Sequence, residues 1–303
     1  MTQIRGAAII LAMLIAALAA AVAATVFADQ QRWSRTVEHR RDAVQAQALV
    51  MAGVQWARQI LDDDARRSEI DHLGEPWALA LPPIPLDNGE IRGAIVDAQG
   101  RLNINALGAV GTTAEPERMR IAALFAHRGV SAASLDPIAD WIDADGAIRP
   151  GGAEDAYYAA QPAPGLTANA PMLRVAEMMA VKGVTAQALA AVAPFLSALP
   201  AGTPVNVNTA PPEVLATLVD NLSEDKLAAL IGERTKKPFA TIADFRARLP
   251  EGVVLASDNA LSVKSNFFYV TVEARQGATA SRARALLRRG GGEWPVIVWQ
   301  VVE

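Results

Sequence analysis

The chain contains no cysteine in its 303 residues. That excludes disulfides, iron–sulfur clusters, thiolate zinc sites and thiol catalysis together. It leaves the compartment open, because exported proteins need not carry disulfides. Histidine is scarce as well. His39, His72 and His127 are scattered, and no serine or carboxylate pattern beside them suggests a nucleophile–base pair. No glycine-rich phosphate loop of the Walker or Rossmann type occurs. Aromatic residues make up only 5%, which argues against a sugar-binding cleft built on aromatic platforms. These absences together read as a protein that is not an enzyme. Positive charge is not in excess either: Lys+Arg is 28 against Asp+Glu 32, for a net charge of −4. Such a chain is a poor candidate for a nucleic-acid binder that relies on a basic surface. Hydrophobic residues reach 51% and charged residues 20%, enough for a sizeable core in one or two domains.

Charge is missing most completely near the N-terminus. Arg5-Gly6 is followed by an uncharged apolar run from Ala7 to Ala28. As a helix this run is about 33 Å long, enough to cross a bilayer core of about 30 Å. A cleaved secretory signal is the alternative, supported by Val26-Phe27-Ala28 before Asp29. The run is longer than the usual signal core, and a single arginine precedes it, so membrane insertion is the better reading. Orientation is in tension with the positive-inside count, because Arg32, Arg35, Arg40 and Arg41 all follow the span. Helix-breaking residues are absent from Ala7 to Ala52, and Val44, Met51, Val54, Ala57 and Leu61 recur at helical spacing. The span therefore continues into an amphipathic helix, about 80 Å long from Ala7 to Leu61. The apolar stripe within residues 37–61 is expected to meet a partner, because a half-exposed apolar stripe needs company.

This start resembles the type IV pilin-like proteins, in which a short basic leader ends in glycine. The resemblance implies cleavage by a prepilin peptidase between Gly6 and Ala7. Most members carry a glutamate at the fifth position after the cut, and here that position is Leu11. The carboxylate is held to pair with the free amine of a neighbouring subunit, and such a pair is strongly favoured in a lipid-like filament core. A subunit with nothing above it has no need of it, so Leu11 points toward a filament tip.

Residues 74–89 hold Gly74, Pro76, Pro82, Pro83, Pro85 and Gly89 and read as a loop. A strand-like stretch through Ile91, Ile95 and Val96 turns at Asp97-Ala98-Gln99-Gly100 into Leu102-Asn103-Ile104, a hairpin signal. From about 106 to 252 the pattern is helical, with helices expected near 115–128, 134–144, 172–181, 185–198, 211–220, 223–235 and 241–249. Strand character returns after Gly252, in Leu261-Ser262-Val263, Phe267 to Val272, Arg282 to Leu287 and Val296 to Val301. The strands on both sides of the helical block can complete one antiparallel sheet, with the block inserted into it. The expected parts are a leader at 1–6, a filament-core helix at 7–28, an amphipathic helix and first strands at 29–105, a helical insertion at 106–252 and the remaining strands at 253–303.

Two segments carry candidate chemistry. Between 136 and 155 stand six acids (Asp136, Asp140, Asp143, Asp145, Glu154, Asp155) and one base, Arg149. Such density needs solvation or a cation, and hard oxygen ligands favour calcium. Asp143, Asp145 and Glu154 stand at positions one, three and twelve of an EF-hand count. Ala147 and Ile148 break that pattern, so a solvated acidic loop with helix-capping aspartates stays open beside the metal. The second segment is Pro204-Val205-Asn206-Val207-Asn208-Thr209-Ala210-Pro211-Pro212-Glu213, followed by Lys226 to Ile231 and Pro238 to Phe245. It is similar to a helix-hairpin-helix of DNA-binding proteins, in which backbone N–H groups of a glycine-rich turn meet a phosphate. The corresponding turn here, Val219 to Asp225, has three acids and no glycine, so a structural role is favoured over DNA binding or DNA uptake.

The Asp-Trp-Ile-Asp run at 140–143, the Gly-Ala-Glu-Asp run at 152–155 and the Asn-Val-Asn-Thr-Ala-Pro run at 206–211 follow in that order behind a pilin-like start. The chain thereby resembles the K-type minor pseudopilins of the type II secretion system. The resemblance implies an α+β fold: a long N-terminal helix on a small antiparallel sheet, with a large all-α insertion in that sheet. It implies a structural subunit at the pseudopilus tip, partnered by I- and J-type minor pseudopilins and other pseudopilins and processed by prepilin peptidase. A single-pass inner-membrane location follows, with the globular part in the periplasm and no nucleic-acid partner. It also implies calcium, for which Asp143, Asp145, Glu154 and Asp155 are the candidate ligands here, with Asn169 a further oxygen if the loop folds back.

Overall fold

The computed structural model describes residues 3–79, 82–109, 114–255, 260–290 and 292–303. One helix, α1 (Gln3–Ala65), runs unbroken through the apolar segment and the amphipathic one. From Ala7 to Arg41 every residue is exposed, so the first half of α1 stands free as a rod. The second half lies on a sheet. Val50, Val54, Ala57 and Leu61 are buried there, together with Ala46, at spacings of three and four that keep one face inward. Val44 and Met51 point to solvent instead. The expected stripe is thus corrected: part of it belongs to the protein's own core, and only the outward residues are left for a partner. Gly53 lets the helix approach closely, since a Cβ there would sit 2.6 Å from Val272 Cγ1.

The sheet has five antiparallel strands in the order β1 (Ile84–Leu86), β2 (Gly89–Asp97), β9 (Phe267–Gln276), β10 (Thr279–Gly290) and β11 (Glu293–Val302). Its inner face, with Phe268, Val270, Val272, Ala283, Ala285 and Leu287, forms one core with α1 and Trp77. Alternation along β9 and β10 puts these residues on one side by the period of two. β1 lies in the stretch read as a loop. Pro76–Ala78 is there a 3-10 turn that packs Trp77 edge-on to Phe268, with ring centroids 5.2 Å apart.

Between Asp97 on β2 and Phe268, its partner on β9, the chain departs and returns. The excursion carries α2 (Ala114–His127), α3 (Leu135–Ile142), α4 (Asp155–Ala159), α5 (Ala186–Val192), α6 (Pro212–Leu218), α7 (Glu224–Lys236) and α8 (Ile242–Ala247). They enclose a second core around Phe125, Ile138, Leu196, Leu215, Phe239 and Phe245. Pairs of two-residue strands tie this unit together. β3 (Leu102–Asn103) pairs in parallel with β4 (Leu196–Ser197), and β5 (Val205–Asn206) in parallel with β8 (Leu261–Ser262). β6 (Val219–Asp220) pairs antiparallel with β7 (Val254–Leu255).

The expected hairpin at 91–104 does not form: β2 pairs along its length with β9 and at its start with β1, while β3 finds its partner far along the chain. Leu261-Ser262 likewise joins β5 rather than the main sheet. The expected helix at 172–181 is a 3-10 segment, Val175–Ala180. That at 185–198 gives way, through a turn holding Pro194, to strand β4, since proline cannot donate within a helix.

Candidate functional site

The acidic loop is built from the end of α3. Asp140 is fully buried, and its carboxylate accepts from the Ala153 N–H at 2.9 Å and the Arg149 guanidinium at 2.8 Å. Gly152 makes this possible, because a Cβ there would fall 1.9 Å from Asp140 Oδ2. Arg149 also binds Asp143, the residue that caps α3. Glu154 and Asp155 converge on Thr167, whose hydroxyl lies 2.5 Å from Asp155 and 3.2 Å from Glu154 and whose N–H donates to Asp155 at 2.9 Å. Burial raises the Glu154 pKa, and Asp140, Asp143 and Asp155 push the same way. The Thr167 hydrogen bonds lower that of Asp155.

Asp143 thus shares Arg149 with Asp140, Glu154 lies within the field of both, and Asp155 sits beside Glu154 on Thr167; Asp140 is not among the ligands expected from spacing. Asp145 is exposed and turned onto the Ala147 N–H. Asn169 is exposed in a left-handed conformation, φ 44°. Asp143 Oδ1 and Glu154 Oε1 are buried without a hydrogen-bond partner among the described residues. A buried unsatisfied carboxylate oxygen is costly, although Arg149 already meets Asp140 and Asp143 with positive charge. Among the described residues, three carboxylates within 4.8 Å of one another occur elsewhere, as Asp64, Asp71 and Glu75. There the buried Arg289 supplies the positive charge, binding both Asp64 and Asp71.

That arginine belongs to a network at the root of the insertion. Asp97, at the end of β2, accepts from the Gln99 N–H, the Thr209 hydroxyl at 2.6 Å, the Ser265 hydroxyl and Asn206 Nδ2. Burial pushes its pKa up to about 6, with Asp71 adding to the rise. Asn206 also donates to the Asp71 carbonyl and to Ser265. One side chain thereby links the segment after α1, the strand that leaves the sheet and the residues that lead back into β9. Asn208 exchanges two hydrogen bonds with the Phe239 backbone, and Arg234 reaches the carbonyls of Val207 and Ala210. The Asn-Val-Asn-Thr motif therefore spends its polar groups inside the fold. The role of Asp71, Ser265 and Arg289 left no mark in sequence, because they are isolated residues brought together from far apart.

Residues 100–201 and 205–264 match two family models, both described as type II secretion system (T2SS), protein K. The type II secretion system protein K of Aeromonas hydrophila is 32% identical, over 82% of this chain and 80% of that protein. The chain belongs to this family. The protein K of Pseudomonas aeruginosa is 29% identical, over 94% of this chain and 89% of its own length. The crystal structure of the GspK-GspI-GspJ complex from the enterotoxigenic Escherichia coli type 2 secretion system superposes with a TM-score of 0.75 at 24% identity. It covers 89% of this chain and 99% of the matched chain. Family and fold thus agree with the resemblance read from the motifs, and protein K is a structural component of the secretion machinery. The DNA-binding alternative gains no support from these relatives.

Proposed function

We propose that this chain is the tip subunit of a type II secretion pseudopilus. It is inserted in the inner membrane by one span, with the globular part in the periplasm, and cut by prepilin peptidase between Gly6 and Ala7. The observation that carries this reading is the free half of α1. Residues 7–41 are exposed, and their apolar part is long enough to cross a bilayer. An apolar rod of this kind demands lipid or sibling helices around it. The insertion adds bulk beside the rod that would crowd repeated neighbours, which favours the end of a filament, and Leu11 in place of glutamate fits a subunit with nothing above it. The matched crystal structure is of a complex of proteins K, I and J, so I- and J-type minor pseudopilins are the partners proposed here. The role is structural, without catalysis and without nucleic acid. Mass spectrometry of the mature N-terminus tests the route: a start at Ala7 supports it, and a start at Asp29 makes the chain an ordinary exported protein.

Calcium is proposed at the acidic loop, held by Asp143 and Glu154 with Asp155 beside them. Asp145 is the candidate that the geometry supports least. Calcium bound only by the folded state raises the melting temperature with concentration. In a chelator-stripped sample, millimolar calcium is expected to raise Tm by a few degrees, and the Glu154→Gln variant to lose most of the rise. An unchanged Tm removes the site.

A further inference from the structure

The acidic loop carries a cation of its own. The Arg149 guanidinium donates to Asp140 at 2.8 Å and also pairs with Asp143, and the Arg149 backbone N–H donates to Asp140 at 3.2 Å. One arginine thus answers two carboxylates that are almost closed to solvent, since the side chains of Asp140 and Asp143 are 0% and 4% exposed. The Arg149 side chain is 28% exposed, so it sits at the rim, with water on one side. The neutralisation is incomplete. Asp143 Oδ1 and Glu154 Oε1 stay buried without a donor among the described residues, and Glu154 is met by the Thr167 hydroxyl rather than by a base. Lys182, the other base beside the loop, spends its ammonium on the carbonyls of Gly151 and Gly152 and on the Tyr157 ring. Nor are the loop's carboxylates drawn together: among the described residues only Asp64, Asp71 and Glu75 bring three such oxygens within 4.8 Å of one another.

A hard cation held by Asp143 and Glu154 needs several oxygens gathered around it, whereas the guanidinium ties Asp143 to Asp140. A divalent ion and a guanidinium beside the same carboxylate repel each other, so Asp143 serves one of them at a time. Arg149 is placed to yield. Its side chain already touches water, and its backbone N–H, with that of Ala153, stays on Asp140 when the guanidinium swings out. The fully buried Asp140 therefore keeps two donors after the exchange, which spares it the cost of a bare buried charge. We infer that Arg149 is a built-in counter-ion that competes with calcium for Asp143. It holds the loop together in the absence of the ion, and it sets how much calcium the loop requires. The inference rests on the proposal that calcium binds this loop, and goes beyond it in assigning a role to a residue that is not a ligand.

Calorimetric titration of calcium into the chelator-stripped full chain, in detergent micelles, reads the competition. Glu154→Gln identifies the heat that belongs to this loop. Arg149→Gln removes the charge and should bind calcium about tenfold more tightly than the unaltered chain. Arg149→Lys keeps a charge but loses the fork that spans two carboxylates, and its affinity should fall between the two; it carries the comparison if Arg149→Gln does not fold. Lys182→Gln removes a nearby charge that touches no carboxylate and should change the affinity less than about twofold. In chelator, Arg149→Gln should melt below the unaltered chain, and millimolar calcium should close the gap. Weaker calcium binding by Arg149→Gln overturns the inference, because Arg149 then supports the site instead of competing for it. An equal gain from Lys182→Gln overturns it too, since the effect is then one of net charge alone. Equal affinity in the unaltered chain and both Arg149 variants strikes the exchange and leaves calcium in place, whereas no binding in any of them removes the calcium site and the exchange together.

Discussion

The two halves of the globular part hold together by different means. The sheet with α1 is a sandwich of long elements, in which β9, β10 and β11 each run ten residues or more and turn a continuous apolar face to one helix. The insertion is made of short pieces: apart from α2 and α7 its helices span eight residues or fewer, and its strands are two residues long. Elements that short gain little from their own cooperativity. Their placement rests on a shared apolar core and on buried polar contacts such as those of Asn206, Asn208 and Arg234. The sheet half can therefore be argued from periodicity, whereas the insertion half depends on single residues at single places.

Three measurements would break or sharpen this contrast. The largest effect is expected where the halves meet. Arg289→Met leaves Asp64 and Asp71 buried without their counter-charge, a loss of about 3–5 kcal/mol in comparable buried pairs. Chemical denaturation should show it as a large fall in midpoint; a loss under about 1 kcal/mol would mean that the junction is not what joins the two units.

Next is pH. The Asp97 carboxyl titrates near 6 in the fold against about 3.9 in an unfolded chain, so the folded state binds its proton more tightly. The stability this group contributes is fully present below about pH 4 and is lost as pH rises through about 6. Burial raises Asp71 and Asp64 as well, and they act in the same direction. In chelator, stability is expected to rise by about 1–3 kcal/mol from pH 7.5 to pH 5, and Asp97→Asn should flatten the slope. A slope unchanged in that variant would assign the effect to other carboxylates.

The smallest effect belongs to the sheet half. Gly53→Val forces α1 away from Val272 and should cost about 1–3 kcal/mol by overpacking. The same exchange at Gly232, where nothing lies within 4 Å of an added Cβ, should be close to neutral or slightly stabilising. Equal effects at both positions would show that α1 does not seat on the sheet as closely as Gly53 allows.

Much of this architecture was legible in the residues. The unbroken α1 follows from the absence of proline and the apolar spacing, and the last three strands follow from runs such as Phe267 to Val272. The helices at α2, α3, α7 and α8 fall close to where capping residues and spacing put them. The failures are local and share a cause. Leu102-Asn103, Leu196-Ser197 and Leu261-Ser262 are too short to state their partners, so pairing was decided by residues many dozens of positions away in the chain. In the acidic loop, counting along the chain could not show that Asp140 is buried against Arg149 and Gly152 while Asp145 stays exposed, because those contacts depend on the folded loop.

By itself the sequence determined the greasy rod, the amphipathic helix behind it and the α+β class, since each of these is a repeating pattern of burial that one short window can express. Only the tertiary structure decided which face of α1 is spent on its own sheet and that the Asn206 motif is a rivet. Those facts depend on contacts between residues far apart in the chain, where the energy lies in a few buried polar groups whose partners no local pattern can name.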